Sequence, residues 1–194
     1  MPKGNTINKK QVLVPAITAA LVMMAPMVLS TSAFAIAPET TTKDRGLHFV
    51  GSPDLTVNKV TDENGIVTSA SLSATGEVAG AGTGGEATLS ATAEVTQGCL
   101  TNEPPGNPGG GQNAPSGLQT TDTTVTGSDT FTTTNGRGTF DVTTEAITTP
   151  TEDFSCPSAQ QTEVLVGVTF TDITLTITTN EGKTITATFA DQDP

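Results

Sequence analysis

The strongest constraint in this chain is an alternation of apolar and polar residues with a period of two. In EATLSATAEVTQ, residues 86–97, Ala87, Leu89, Ala91, Ala93 and Val95 fall on one side, and Thr88, Ser90, Thr92, Glu94 and Thr96 fall on the other. Extended backbone sends successive side chains to opposite faces, so the segment predicts a strand with one buried and one wetted face. SLSATGEVAG, residues 71–80, repeats the pattern with Leu72, Ala74, Gly76 and Val78 inward. The AGTGG between them, residues 81–85, predicts a hairpin with a glycine-rich loop.

Two further hairpins are expected by the same reasoning. TVTGSDTFTT (Val125, Gly127, Asp129, Phe131) leads through NGRG at 135–138 into TFDVTTEAI (Phe140, Val142, Thr144, Ala146). ITLTITT (Ile173, Leu175, Ile177) returns through NEG at 180–182 into TITATFA (Ile185, Ala187, Phe189). Asn and Gly accept the positive φ that such turns require. Val164, Val166, Val168 and Phe170 are even-numbered, whereas Ile173, Leu175 and Ile177 are odd. An extra residue must therefore be absorbed near Thr171-Asp172, by a β-bulge or by a strand that crosses between sheets. LHFVG, LTVNKV and, after DENG, IVTSA add further strands. Eight or so strands without a helical period predict an all-β fold, an antiparallel β-sandwich of Ig-like or jelly-roll-like type. The domain is expected over residues 47–194, with Phe131, Phe140, Phe170 and Phe189 in its core.

Composition agrees with the pattern. The chain is rich in threonine, whose branched Cβ suits the solvent face of a strand better than a helix interior. Disorder is the competing reading of a Thr-rich acidic chain, but disordered segments lack periodic apolar faces. Residues 36–46, IAPETTTKDRG, show no period and are expected as a flexible N-terminal arm.

Residues 1–35 have the layout of a secretory signal. Lys3, Lys9 and Lys10 precede an apolar stretch, VLVPAITAALVMMAPMVLS, and Ala33-Phe34-Ala35 supplies the small-x-small pattern of a cleavage site. An uncleaved anchor is the alternative, because residues 12–29 approach the length that spans a bilayer. The protein is thus expected to be secreted or extracellular, with cell-surface association open, and with no membrane insertion once the signal is cleaved. Beyond residue 35 there are 20 acidic residues and 5 basic ones, a charge of −15. Such a surface repels nucleic acid and anionic lipid. No Asn-x-Ser/Thr sequon follows Ala35.

Cys99 heads the loop-like stretch GCLTNEPPGNPGGGQNAPSGL, residues 98–118, and Cys156 lies in DFSCPSAQ. In an oxidising compartment an even cysteine count and two loop-edge thiols predict a Cys99–Cys156 disulfide, with free thiols the alternative.

SLSATGEVAGAG, CLTNEPPGNPGG, TVTGSDTFTTTNGRGTFDV and FSCPSAQ followed by VLVGVTFTDITLTITTNEG occur in an order that resembles small exported two-cysteine β proteins common in actinobacteria. The resemblance covers about residues 70–182. It implies a secreted β fold and no catalytic role.

Reactive constellations are sparse. His48 is the only histidine, in GLHFVG, and no nucleophile-elbow context accompanies the serines. One His and two cysteines do not furnish a zinc site. GAGTGG is followed by neither a helix nor a Lys, unlike a phosphate loop. Glycosidase chemistry needs two carboxylates across a cleft, and none of the acids is marked for it. Trp and Tyr, the stacking platforms of sugar-binding modules, are absent. Calcium is the one cofactor with candidate ligands: Asp62 and Glu63 in TDENG, Glu152 and Asp153 in PTED, and Asp191 and Asp193 in the tail, with solvated acidic turns as the simpler account. The leading expectation is a noncatalytic structural or interaction protein, self-associating or binding a cell-envelope partner. A secreted hydrolase with a carboxylate site and a ligand-binding module using the 98–118 loop are the alternatives.

Overall fold

The fold was obtained as a computed structural model, which describes residues 36–44, 46–62, 66–101, 115–148 and 154–193. The expected signal, residues 1–35, lies outside the described residues. The described residues are all-β and antiparallel, with ten strands: β1 (Thr40–Thr41), β2 (His48–Phe49), β3 (Asp54–Thr61), β4 (Val67–Ala79), β5 (Gly84–Thr101), β6 (Ser116–Thr132), β7 (Arg137–Thr143), β8 (Ile147–Thr148), β9 (Gln161–Thr179) and β10 (Thr184–Thr188). Three of these are two-residue strands, so the seven longer ones are what the alternation could detect.

Two ladders organise the strands. In the first, β5 lies between β6 and β9, β9 pairs β10, and β10 pairs β1. In the second, β4 is central: β3 and β2 line one edge, and β7 and β8 line the other. A pairing of Val67 with Leu165 connects the two into one continuous sheet. Their apolar faces share one core. Leu72, Ala74 and Val78 of β4 and Phe140 and Val142 of β7 join Leu89 and Val95 of β5 with Phe170, Leu175 and Ile177 of β9, all buried. Complete burial of a Leu, Ile, Val or Phe side chain contributes about 1.5–3 kcal/mol. The inward residues expected on β5 are all buried, as are the four core phenylalanines. Two facing layers around one core are compatible with the sandwich.

The parity change in β9 is a bulge. Ser90 stands opposite Thr174 and Thr92 opposite Thr171, so β9 carries one residue more than β5 across this step. Asp172 takes a φ of 52° there, which re-aims the strand so that Phe170 and Ile173 both face inward. A second offset lies between Thr96 and Gln97 on β5, opposite Gly167 and Leu165 on β9, and it makes Val166 the extra residue. Val166, expected inward, is therefore exposed, and Leu165 takes the buried place.

The hairpins divide. β9 and β10 pair as expected across residues 180–182, from Thr178↔Thr184 onward. AGTGG does not close a hairpin. Both edges of β4 are already occupied by β3 and β2 and by β7 and β8, so the chain leaves one ladder there and enters the other as β5. NGRG does make a tight turn, with positive φ at Asn135 and Gly136 and reciprocal Thr134–Arg137 backbone bonds of 2.8 and 3.1 Å. Its strands then part, β6 to β5 and β7 to β4.

The N-terminal segment expected as a flexible arm is paired along the domain. The Glu39 and Thr42 amides donate to the Thr188 and Thr186 carbonyls at 2.8 and 2.9 Å, and Ile36 exchanges backbone bonds of 3.1 and 3.2 Å with Leu55 of β3. It thereby links β10 of the first ladder to β3 of the second. A two-residue strand has no period, so alternation could not reveal it.

Candidate functional site

The disulfide forms between Cys99 and Cys156, with Cα atoms 5.7 Å apart. It joins a strand to a loop and not two loops. Cys99 lies inside β5, opposite Ser116 of β6 and Glu163 of β9, and Cys156 sits in the segment that leads to β9. The Cys156 amide donates to Glu163 Oε1 at 3.2 Å, so bridge and hydrogen bond hold that segment against the same rung. The two ends of the 98–118 stretch, residues 98–101 and 116–118, are thus strand. Residues 102–114 lie outside the described residues.

Beside the bridge is a small apolar pad. A Cβ at Gly98 would meet Leu118 Cδ2 at 2.9 Å, Pro115 Cβ at 3.0 Å and Val166 Cγ2 at 3.3 Å, so the glycine allows these side chains to close over β5. Leu118 and Val166, 59% and 40% exposed, are the large hydrophobic residues left open to solvent among the described residues. Sequence reasoning placed one in a loop and the other in the core. The signal for Val166 was the unalternating run VLVGV, which a bulge accommodates.

On the inner side, a groove of about 330 Å³ opens between the N-terminal half of β6 and the β7–β9 connection. Val95, Ile147 and Phe154 give it an apolar floor, and Gln97, Gln119, Thr121, Asp122 and Thr123 supply polar and charged walls. It exists because β6 outruns its cover. Among its inward positions Val125 and Phe131 are buried, whereas Thr121 and Thr123 are not.

Charge is distributed unevenly. β5, β6 and β9 carry Glu86, Glu94, Asp122, Asp129, Glu163 and Asp172 but no Lys, Arg or His. Glu94 and Asp122 stand directly opposite each other and are exposed. Of the basic residues, Arg137 pairs Glu77 of β4 at 3.0 Å, and Lys183, in the turn that follows β9, pairs Glu181 at 2.8 Å.

The calcium candidates are not gathered. Asp62 Oδ1 accepts the Ile66 amide at 2.8 Å and so closes the β3–β4 turn. Asp191 and Asp193 flank Gln192, whose backbone pairs with Phe170. Glu63, Glu152 and Asp153 lie outside the described residues. No group of three or more His, Cys, Asp or Glu that could hold a metal occurs among the described residues. His48, the exposed first residue of β2, has its Nδ1 2.9 Å from the Gly46 carbonyl. A second groove, of about 590 Å³, has Glu86 and Glu145 in its walls. Among the described residues no helix is long and apolar enough to cross a membrane.

No protein-family model matches the chain, nor does any curated protein or solved structure.

Proposed function

We propose that the protein is a noncatalytic secreted or cell-surface interaction protein that acts through the surface of its acidic β domain. The observation that carries this reading is the β6–β5–β9 ladder, which combines a base-free acidic composition with an exposed apolar pad pinned beside a disulfide. Exposed apolar side chains held on a rigid frame favour contact with another surface, and a disulfide suits an oxidising compartment. Kinship with the two-cysteine exported proteins of actinobacteria forms part of the same reading.

The test is to express the full chain in a secreting host, fractionate medium and envelope, and assay the purified protein on polysaccharide and peptide substrates. Export with retention on envelope preparations and no turnover is the expected result. Protein that stays in the cytoplasm overturns the reading.

A carboxylate hydrolase is the second reading, favoured by Glu86 and Glu145 sharing one groove. Acid–base hydrolysis needs two such groups flanking the bond to be cleaved. Turnover lost in both Glu86→Gln and Glu145→Gln would establish it in place of the first.

A further inference from the structure

We infer that the N-terminal half of β6 is a strand-addition site for a cationic extended segment of a partner protein, whose alternate apolar side chains enter the groove floored by Val95, Ile147 and Phe154. The inference rests on the surface-acting function proposed above and names the chemistry of the partner.

The backbone provides the first part of the argument. β6 is paired to β5 along its whole length, from Thr132↔Gly84 to Ser116↔Cys99. Its other edge is engaged further along, where the Thr126 carbonyl accepts the Glu145 amide at 3.0 Å. The amide and carbonyl of one strand residue point to the same edge, and the direction alternates along the chain. Thr124, Asp122 and Thr120 therefore present theirs to the side that Thr126 uses, and among the described residues nothing pairs with them. Natural edge strands are blunted by charged side chains, Pro, bulges or shortness. Residues 118–124, LQTTDTT, carry one charge, Asp122, and neither Lys nor Pro, and β6 is 17 residues long.

The groove provides the second part. A strand added to this edge places the residue opposite Thr121 or Thr123 on the inner face, where those two side chains line the groove. Edge hydrogen bonds supply affinity and the pocket selects alternate side chains, the division of labour in β-augmentation. Charge then selects the occupant. The outward side chains of an added strand lie beside Asp122, with Glu94 one strand further in, on a ladder with no basic residue, so Lys or Arg at those positions is favoured. A second copy of this chain is disfavoured, because antiparallel self-pairing about Asp122 sets Asp122 against Asp122, a like-charge pair.

The probe is a synthetic decapeptide alternating lysine and valine, compared with its glutamate–valine counterpart and with decalysine, titrated against the oxidised full chain. Thr124→Pro and Thr120→Pro each remove one outward amide and leave the β5 ladder intact, a placement that edge strands tolerate. Asp122→Lys reverses the local charge. Binding of the lysine–valine peptide that weakens at least tenfold in a proline variant of unchanged melting temperature, and at least severalfold in Asp122→Lys or on raising salt, is the expected outcome. Equal binding of decalysine, insensitive to proline, reduces the site to diffuse charge attraction and overturns the inference. So does concentration-dependent dimerisation by light scattering that Thr124→Pro abolishes, because the occupant is then a second copy. Absence of peptide binding with envelope retention intact removes this site and leaves the interaction reading standing; turnover of a substrate removes that reading instead.

Discussion

At the scale of single residues, Asp172 and Gly127 are positions where backbone and neighbours restrict the side chain. Asp172 holds a φ of 52° in the β9 bulge. Short polar residues tolerate this region and β-branched ones do not. Asp172→Val should lower stability by about 1–2 kcal/mol in urea unfolding, whereas Asp172→Gly should leave it unchanged or raised. Equal losses in both would place the cost in the carboxylate and not in the backbone. Gly127 is inward on β6, and a Cβ there would fall on the Thr143 carbonyl where β6 passes the end of β7. Gly127→Ala should cost about 1–3 kcal/mol through that overlap, read as a lower melting temperature. The alternation marked Gly127 as inward, but not what stood against it.

At the scale of elements, the turns behaved as local chemistry and the strands did not. Asn135-Gly136 turns the chain as its residue types require, yet β6 and β7 separate because β6 pairs with the preceding β5 and β7 with the more distant β4. The disulfide stabilises the junction of β5 with the segment before β9. Closing a loop of 57 residues corresponds to about 4 kcal/mol in the chain-entropy account, an upper figure because strain and residual unfolded structure reduce it. Reduction should lower the unfolding midpoint, and Cys99→Ser should reproduce most of that loss. Two titratable thiols in the secreted protein would instead mean that the bridge does not form.

At the scale of the whole molecule, the N-terminal segment connects β10 to β3 and covers the β10 edge. A chain beginning at Leu47 loses the β1 pairing and the packing of Ile36 against the core. It should be less stable by about 1–3 kcal/mol, and its bared β10 edge should favour association. Light scattering should then show a monomer for residues 36–194 and concentration-dependent growth for the shorter chain. The opposite result would mean that the segment reaches a neighbour, as a free arm would. The acidic turns, by contrast, are expected to act as solvated carboxylates, with no rise in melting temperature at millimolar calcium over chelator; a rise would reveal a folded-state site by mass action.

Most strand faces, the need to absorb an extra residue near Asp172, the β9–β10 hairpin and the Cys99–Cys156 pairing were legible in the sequence alone. Each depends on local physics: the two-residue repeat of extended backbone, the positive φ that Asn and Gly accept, and the count of thiols. Which strands adjoin was decided only by the tertiary structure. Backbone N–H and C=O groups are the same at every residue, so a ladder does not read sequence, and partners are chosen by which edges remain open once the apolar faces are buried. That is why AGTGG became a crossing between ladders, why Val166 moved outward while Leu165 took its place, and why the open edge of β6 above an apolar groove could not be seen before the chain was folded.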